Sequence, residues 1–153
     1  MSKTKEYFLK HEYLPLLKKL KGDEKGNWGV LTAQGMVEHM SESIAIASMR
    51  IVHALHTPPE LVEKMKSFAL SDKEFKPNTK NALMSDDAAP LRHPNMEEAL
   101  KELQTEIDEF ISFYEHKPEQ TVTNPFFGDL NYEEWLHLLH KHALHHLKQF
   151  NIM

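Results

Sequence analysis

The chain has 153 residues, with 18 lysines and arginines against 23 aspartates and glutamates, a net charge of −5 and no cysteine. That length suits one domain spanning residues 1–153, and a globule of this mass buries about 69% of its unfolded surface, enough for a core without covalent staples. The missing cysteines exclude disulfides, thiolate zinc sites, iron–sulfur clusters and a thiol nucleophile, and the acidic balance argues against nucleic acid as a partner, which needs a basic footprint.

No apolar run reaches the roughly 18 residues of a membrane span, and Met1 to Glu6 lack the apolar stretch of a signal peptide. A soluble cytoplasmic protein with no membrane partner is expected. Phe8, Leu14, Leu17 and Leu20 recur at helical spacing and predict a first helix from about Thr4 to Lys21. Gly22 and Gly26 among polar residues then mark a loop. Thr32 can cap a second helix, whose face Ala33, Met36, Met40, Ile44, Ala47, Ile51 and Leu55 predicts a run to about Leu55, where Thr57-Pro58-Pro59 stops it.

Residues 56–94 form a connection of mixed character. One short helix, Pro59 to Leu70, is expected there, with proline favourably in its first turn. Pro77, Asn78, Asn81, Pro90 and Pro94 predict irregular backbone beyond it. A loop this long inside a domain usually serves function. Asn95 and Glu98 form a capping-box-like start for a third helix, in which Met96, Leu100, Leu103, Ile107, Phe110 and Tyr114 make a bundle seam ending at Pro118. Asn131 and Glu134 repeat that start for a fourth helix, Asn131 to Phe150. No strand-period alternation is visible. The pattern predicts an all-α four-helix bundle with a long, partly irregular crossover between helices two and three.

Nucleotide loops, a Gly-x-Ser-x-Gly elbow and His-Glu-x-x-His are all absent, which leaves the histidines. There are 11, and five fall between His137 and His146. Around the fourth helix the apolar stripe of Tyr132, Trp135, Leu139, Ala143 and Phe150 spans about 80°. His146 falls near its centre and His142 near its edge, with His145 on the flank. His137 and His140 are expected to face solvent. A buried pair four residues apart either hydrogen-bonds across the bundle or turns its free nitrogens toward one cation. His39 sits at the polar border of helix two, and periodicity does not select it. His53 lies about 21 Å further along that helix and cannot share an ion with it. Trp28, Trp135, Phe126 and Phe127 are expected to be mostly core aromatics.

Three stretches carry a resemblance: Trp28 to His39, with Thr32 and Gln34 ahead of the histidine; Asn124-Pro125-Phe126-Phe127-Gly128 leading to Trp135; and Lys141-His142-Ala143-Leu144-His145-His146 followed by Gln149-Phe150. In order and spacing the chain resembles the DinB/YfiT-like superfamily, and within it a bacterial branch without an assigned function. The resemblance implies an up-down-down-up four-helix bundle. It also implies a metal site built from one histidine of the second helix and a His-x-x-x-His pair of the fourth. Those positions match His39, His142 and His146. Many relatives continue with Arg-Gly-Gln after the last ligand, whereas Leu147-Lys148-Gln149 here keeps only the glutamine.

Three imidazoles suit a divalent transition metal, with zinc or nickel foremost and iron or copper also compatible. Relatives include S-transferases and isomerases that use bacillithiol or mycothiol, and hydrolase activity has been suggested for the superfamily. The resemblance therefore implies a metal-dependent enzyme acting on a small-molecule substrate, with a low-molecular-weight thiol as candidate co-substrate and a homodimer as candidate assembly. A metal-holding or stress-response module without turnover, and a structural bundle with incidental histidines, are the alternatives. Glu38, Glu42 and His145 neighbour the ligand positions, and no residue is singled out as general acid or base.

Overall fold

The computed structural model describes residues 2–73 and 90–152. Its elements are α1 (Ser2–Tyr7), a π-helical turn (Phe8–Glu12), α2 (Tyr13–Leu17), α3 (Ala33–Ala47), α4 (Pro59–Leu70), α5 (Met96–His116), β1 (Val122–Asn124), β2 (Gly128–Leu130) and α6 (Tyr132–Gln149). The fold is thus mostly helical, with one short antiparallel hairpin. The irregular backbone expected at Pro90 and Pro94 is present, whereas Pro77, Asn78 and Asn81 lie outside the described residues.

The first expected helix comes in three pieces because of Pro15. Proline has no N–H, and inside a helix its ring collides with the carbonyl one turn earlier. The turn ahead of it widens, so that the Tyr13 N–H reaches the Phe8 carbonyl in π geometry. The inner face survives this change, and Leu9, Tyr13 and Leu17 are fully buried.

α3 begins where Thr32 predicts, its side chain accepting from the Gly35 N–H at 3.1 Å. It ends eight residues before Leu55, at Ala47, which corrects the expected length. The end is a Schellman motif: Met49 takes φ 61°, its N–H donates to Ile46 O, and the Arg50 N–H donates to Ala45 O at 2.9 Å. The Tyr114 hydroxyl donates to the Ala47 carbonyl at 2.8 Å and fastens this end to α5. Ile51 and Leu55 continue the apolar rhythm but stand exposed. Hydrophobic spacing therefore ran on past the backbone stop.

α5 packs along α3, and α6 packs on α1 and α3. Met36, Met40 and Ile44 of α3, Leu103, Ile107 and Phe110 of α5, and Trp135, Leu136 and Leu139 of α6 share the core. α6 opens on a complete capping box, with the Asn131 side chain accepting from Glu134 N–H and the Glu134 side chain accepting from Asn131 N–H. For α5 the Asn95 half of the box is present, its Oδ1 accepting from the Glu98 N–H at 2.9 Å. α6 closes on Asn151 at φ 61° in a second Schellman motif, with Ile152 N–H donating to Leu147 O at 2.9 Å.

The hairpin is the unexpected element. Val122 pairs with Leu130 and Asn124 with Gly128, so each strand is too short for its alternation to register. The Asn124 side chain accepts from the Phe126 and Phe127 N–H groups at 2.8 and 3.1 Å and shapes the turn. Gly128 is required there, because its φ is +78° and an added Cβ would lie 2.7 Å from Val62 Cγ1. The hairpin also locks the start of α6, since Trp135 Nε1 donates to Val122 O.

Two further expectations need correction. His137 and His140 are half-buried rather than solvent-facing. His137 Nδ1 accepts from the Lys5 ammonium at 2.8 Å, and its Nε2 donates to Ser71 O at 3.0 Å. His140 meets the Phe8 ring edge-on at 5.1 Å. A helical wheel shows the apolar stripe of α6 but not α1 and the end of α4, which cover its flanks. Of the four aromatics, Trp135 is core, Phe127 packs against the core, and Trp28 and Phe126 are partly exposed.

The Met49 conformation yields a stability prediction. A left-handed residue with a Cβ costs about 1–2 kcal/mol, and Met49 is 48% exposed, so little packing is at stake. Met49→Gly should stabilise the protein by about 1 kcal/mol and raise the melting temperature by roughly 2–4 °C. A lower melting temperature by scanning calorimetry would contradict this account of the α3 terminus.

Candidate metal centre

α3 and α6 bring three imidazoles together. His39 comes from the middle of α3, and His142 and His146 stand one turn apart on α6. One nitrogen from each lies within 4.8 Å of the other two. His39 Nε2 is 3.2 Å from His142 Nε2, and His146 Nε2 is 2.9 Å from the same atom. His146 is buried, and the other two are partly buried.

These distances test the hydrogen-bonding alternative. An imidazole Nε2 carries either one proton or one lone pair, so it makes one conventional hydrogen bond. His142 Nε2 faces two other Nε2 atoms at contact distance. Hydrogen bonding can satisfy one of these contacts and leaves the other as an apposition of nitrogens. A single cation satisfies both, because each ring then directs a lone pair inward. With metal–nitrogen bonds of about 2.0–2.1 Å, ligand nitrogens in a tetrahedral site lie about 3.3 Å apart, close to the 3.2 and 2.9 Å found around His142 Nε2. The donor set is therefore chemically and geometrically fit for a borderline-soft divalent ion.

Electrostatics agree with neutral, ligating rings. Burial pushes the His39 pKa down to about 4. Burial, reinforced by the field of His39, pushes His146 down to about 3 against the opposing hydrogen bond from Gln149. Burial, with the neighbouring histidines, also holds His142 well below the usual imidazole range. A ligating histidine must be deprotonated, and these three are so throughout the neutral range.

The surroundings are built largely by two short segments. Residues 22–32 dock against α3 and the end of α6: Gln34 N–H donates to Gly22 O, Ala33 N–H to Glu24 O, and Asn27 N–H to Gln149 O at 2.8 Å. The Trp28 ring packs on His145 at 5.5 Å, and His145 on His146 at 5.3 Å. On another side of α3, the Glu38 carboxylate is buried and accepts from the Arg92 N–H at 2.7 Å, the His93 N–H at 3.2 Å and Gln34 Nε2 at 3.0 Å. Arg92 also pairs with Glu42 and Glu102, and His93 Nε2 contacts Glu102 at 2.9 Å. Glu38 and Glu42 thus anchor the end of the 56–94 crossover through Arg92 and the His93 backbone. This anchoring was not legible, because Arg92 lies 54 residues from Glu38.

The lowered pKa values carry a pH prediction for the metal-free protein. An unfolded histidine takes up its proton near pH 6.5, whereas folded His39 and His146 stay neutral down to about pH 4 and about pH 3. Between those limits the unfolded chain binds more protons, so stability rises with pH. The contribution is complete above pH 6.5 and is lost progressively as pH falls toward 4 and below. In chelator-treated protein the urea midpoint should drop across this window, and His146→Ala should drop less steeply. Parallel pH curves for the two proteins would contradict the assignment.

No curated protein and no solved structure matches this chain. The sequence model of the DinB superfamily matches residues 29–150, a span that contains all three histidines, the hairpin and all of α3 to α6. The chain belongs to the DinB superfamily.

Proposed function

We propose that the protein is a metal-dependent enzyme in which His39, His142 and His146 hold one divalent transition metal ion, zinc or nickel foremost, with iron or copper compatible. The observation that carries this is His142 Nε2, which faces two other imidazole nitrogens at 3.2 and 2.9 Å where it can hydrogen-bond to one. Among the described residues the candidate donors are three imidazoles, and three protein ligands are the pattern of open catalytic sites rather than closed structural ones. A bound ion would supply Lewis acidity, stabilising a thiolate or polarising an electrophile. The chain's own part is to keep three neutral rings converged between α3 and α6, with Trp28 and His145 forming one flank.

On this reading residues 1–153 are one cytoplasmic domain, an up-down-down-up four-helix bundle. The segment from α1 through α2, then α3, α5 and α6, are its four helices, and α4 lies within the crossover. The reaction is transfer or hydrolysis on a small molecule, with a low-molecular-weight thiol as candidate co-substrate and a homodimer as candidate assembly. Among the described residues no helix is long and apolar enough to cross a membrane. A metal-holding or stress-response module without turnover is the second reading.

Elemental analysis of protein purified without a histidine tag or nickel column should find one equivalent of metal, and His146→Ala should bind none while remaining helical and soluble. Metal at a hundredfold excess over its Kd should stabilise the wild type by about 2.7 kcal/mol. Chelator should lower the melting temperature without unfolding the protein, because the core of α3, α5 and α6 does not depend on the site. A His146→Ala variant that keeps one tight equivalent would exclude this ligand set. Turnover of small electrophiles only with thiol and metal together would separate the enzyme from the module.

A further inference from the structure

We propose that Gln149 is a positioning residue that holds His146 in the tautomer with its proton on Nδ1, leaving the Nε2 lone pair to face His39 and His142. The proposal rests on the three-histidine reading above, but its geometry stands apart from any bound ion. Gln149 is buried, and its side chain touches two groups: Nε2 donates to the Trp28 carbonyl at 2.7 Å, and Oε1 lies 2.7 Å from His146 Nδ1.

The chemistry of these two contacts fixes the proton by elimination. A backbone carbonyl only accepts, so the amide nitrogen must be the end that faces Trp28. The amide oxygen then faces His146, and an oxygen at 2.7 Å from a ring nitrogen requires a proton on that nitrogen. His146 Nδ1 is therefore the protonated nitrogen, and Nε2 is the one with a lone pair. The amide is also held sterically. A Cβ on Gly26 would lie 2.6 Å from Gln149 Cγ, and one on Gly29, at φ +78°, would lie 3.0 Å from Gln149 Nε2. The loop around Gly26, Trp28 and Gly29 closes over this side chain. It thereby sets the orientation of a ring that the loop itself does not coordinate.

Outer hydrogen-bond partners of ligating histidines typically contribute about 10–100-fold in metal affinity. The test compares wild type, Gln149→Glu and Gln149→Met by competition of Zn²⁺ against a chromophoric chelator, and by two-bond ¹⁵N–¹H spectra of the chelator-treated proteins near pH 7.5. Glutamate keeps the acceptor for Nδ1–H but places a carboxylate against the Trp28 carbonyl, whereas methionine keeps the length and removes the acceptor. The expected result is an Nδ1–H pattern for His146 in wild type and Gln149→Glu, with zinc affinity similar in both. Gln149→Met should show a shift toward the Nε2–H tautomer and an affinity lower by about 10–100-fold. A purely packing role predicts the reverse order, with glutamate at least as damaging as methionine, and that outcome overturns the proposal. An Nε2–H pattern for His146 in the wild type overturns it as well, without recourse to any variant. If the wild type binds no zinc, the three-histidine reading fails, while the tautomer spectra still decide the role of Gln149.

Discussion

Three imidazole nitrogens meet at the contact of α3 with α6, and their convergence depends on how the rest of the fold holds these two helices together. Burying a polar ring nitrogen without a partner costs about 1–3 kcal/mol, and here His39 Nε2 and His146 Nε2 both approach His142 Nε2, which can make a conventional hydrogen bond with one of them. The register of α3 against α6 must therefore be set by other contacts. The Tyr114 hydroxyl on the Ala47 carbonyl fixes the far end of α3. Trp135, held by the Val122 carbonyl, fixes the near end of α6. Residues 22–32 bridge the start of α3 and the end of α6. The histidines occupy the stretch between these fastenings.

The same arrangement explains the division of labour among the charged residues. Burial alone drives the His39 pKa down, and a carboxylate facing the rings would oppose that by favouring the protonated form. Glu38 and Glu42 sit within three residues of His39 in the sequence, yet the carboxylates engage Arg92 and the backbone of His93. The acidic groups of α3 thus hold the crossover, and the site next to them stays neutral. Successive residues on a helix project about 100° apart, which is how one short stretch of α3 serves both purposes.

Much of the helical layout was legible in local chemistry. Thr32, Asn95 and Asn131 marked helix starts, and Pro59 to Leu70 matched α4 at both ends. What escaped was decided by the backbone or by distant segments. Asn151 is an ordinary left-handed terminator, but Met49 is not, so the end of α3 was hidden behind an apolar rhythm that ran on to Leu55. The hairpin is too short to show a period. His137 and His140 looked solvent-facing because a single helix cannot reveal that Lys5, Phe8 and Ser71 lie over it. Within the site, the spacing of His142 and His146 was visible from the α6 wheel. His39 was not, and it was matched only through family resemblance. Gln149 stood out as a retained residue, while its two partners appeared only once the loop at Trp28 was in place.

The most direct measurement is zinc K-edge X-ray absorption on tag-free protein loaded with one equivalent of zinc. Three imidazole nitrogens should appear at about 2.0–2.1 Å, and His142→Ala should remove one of them or abolish binding, since its Nε2 is the atom both other rings approach. An absence of zinc binding, or a ligand shell unchanged by His142→Ala, would contradict the account.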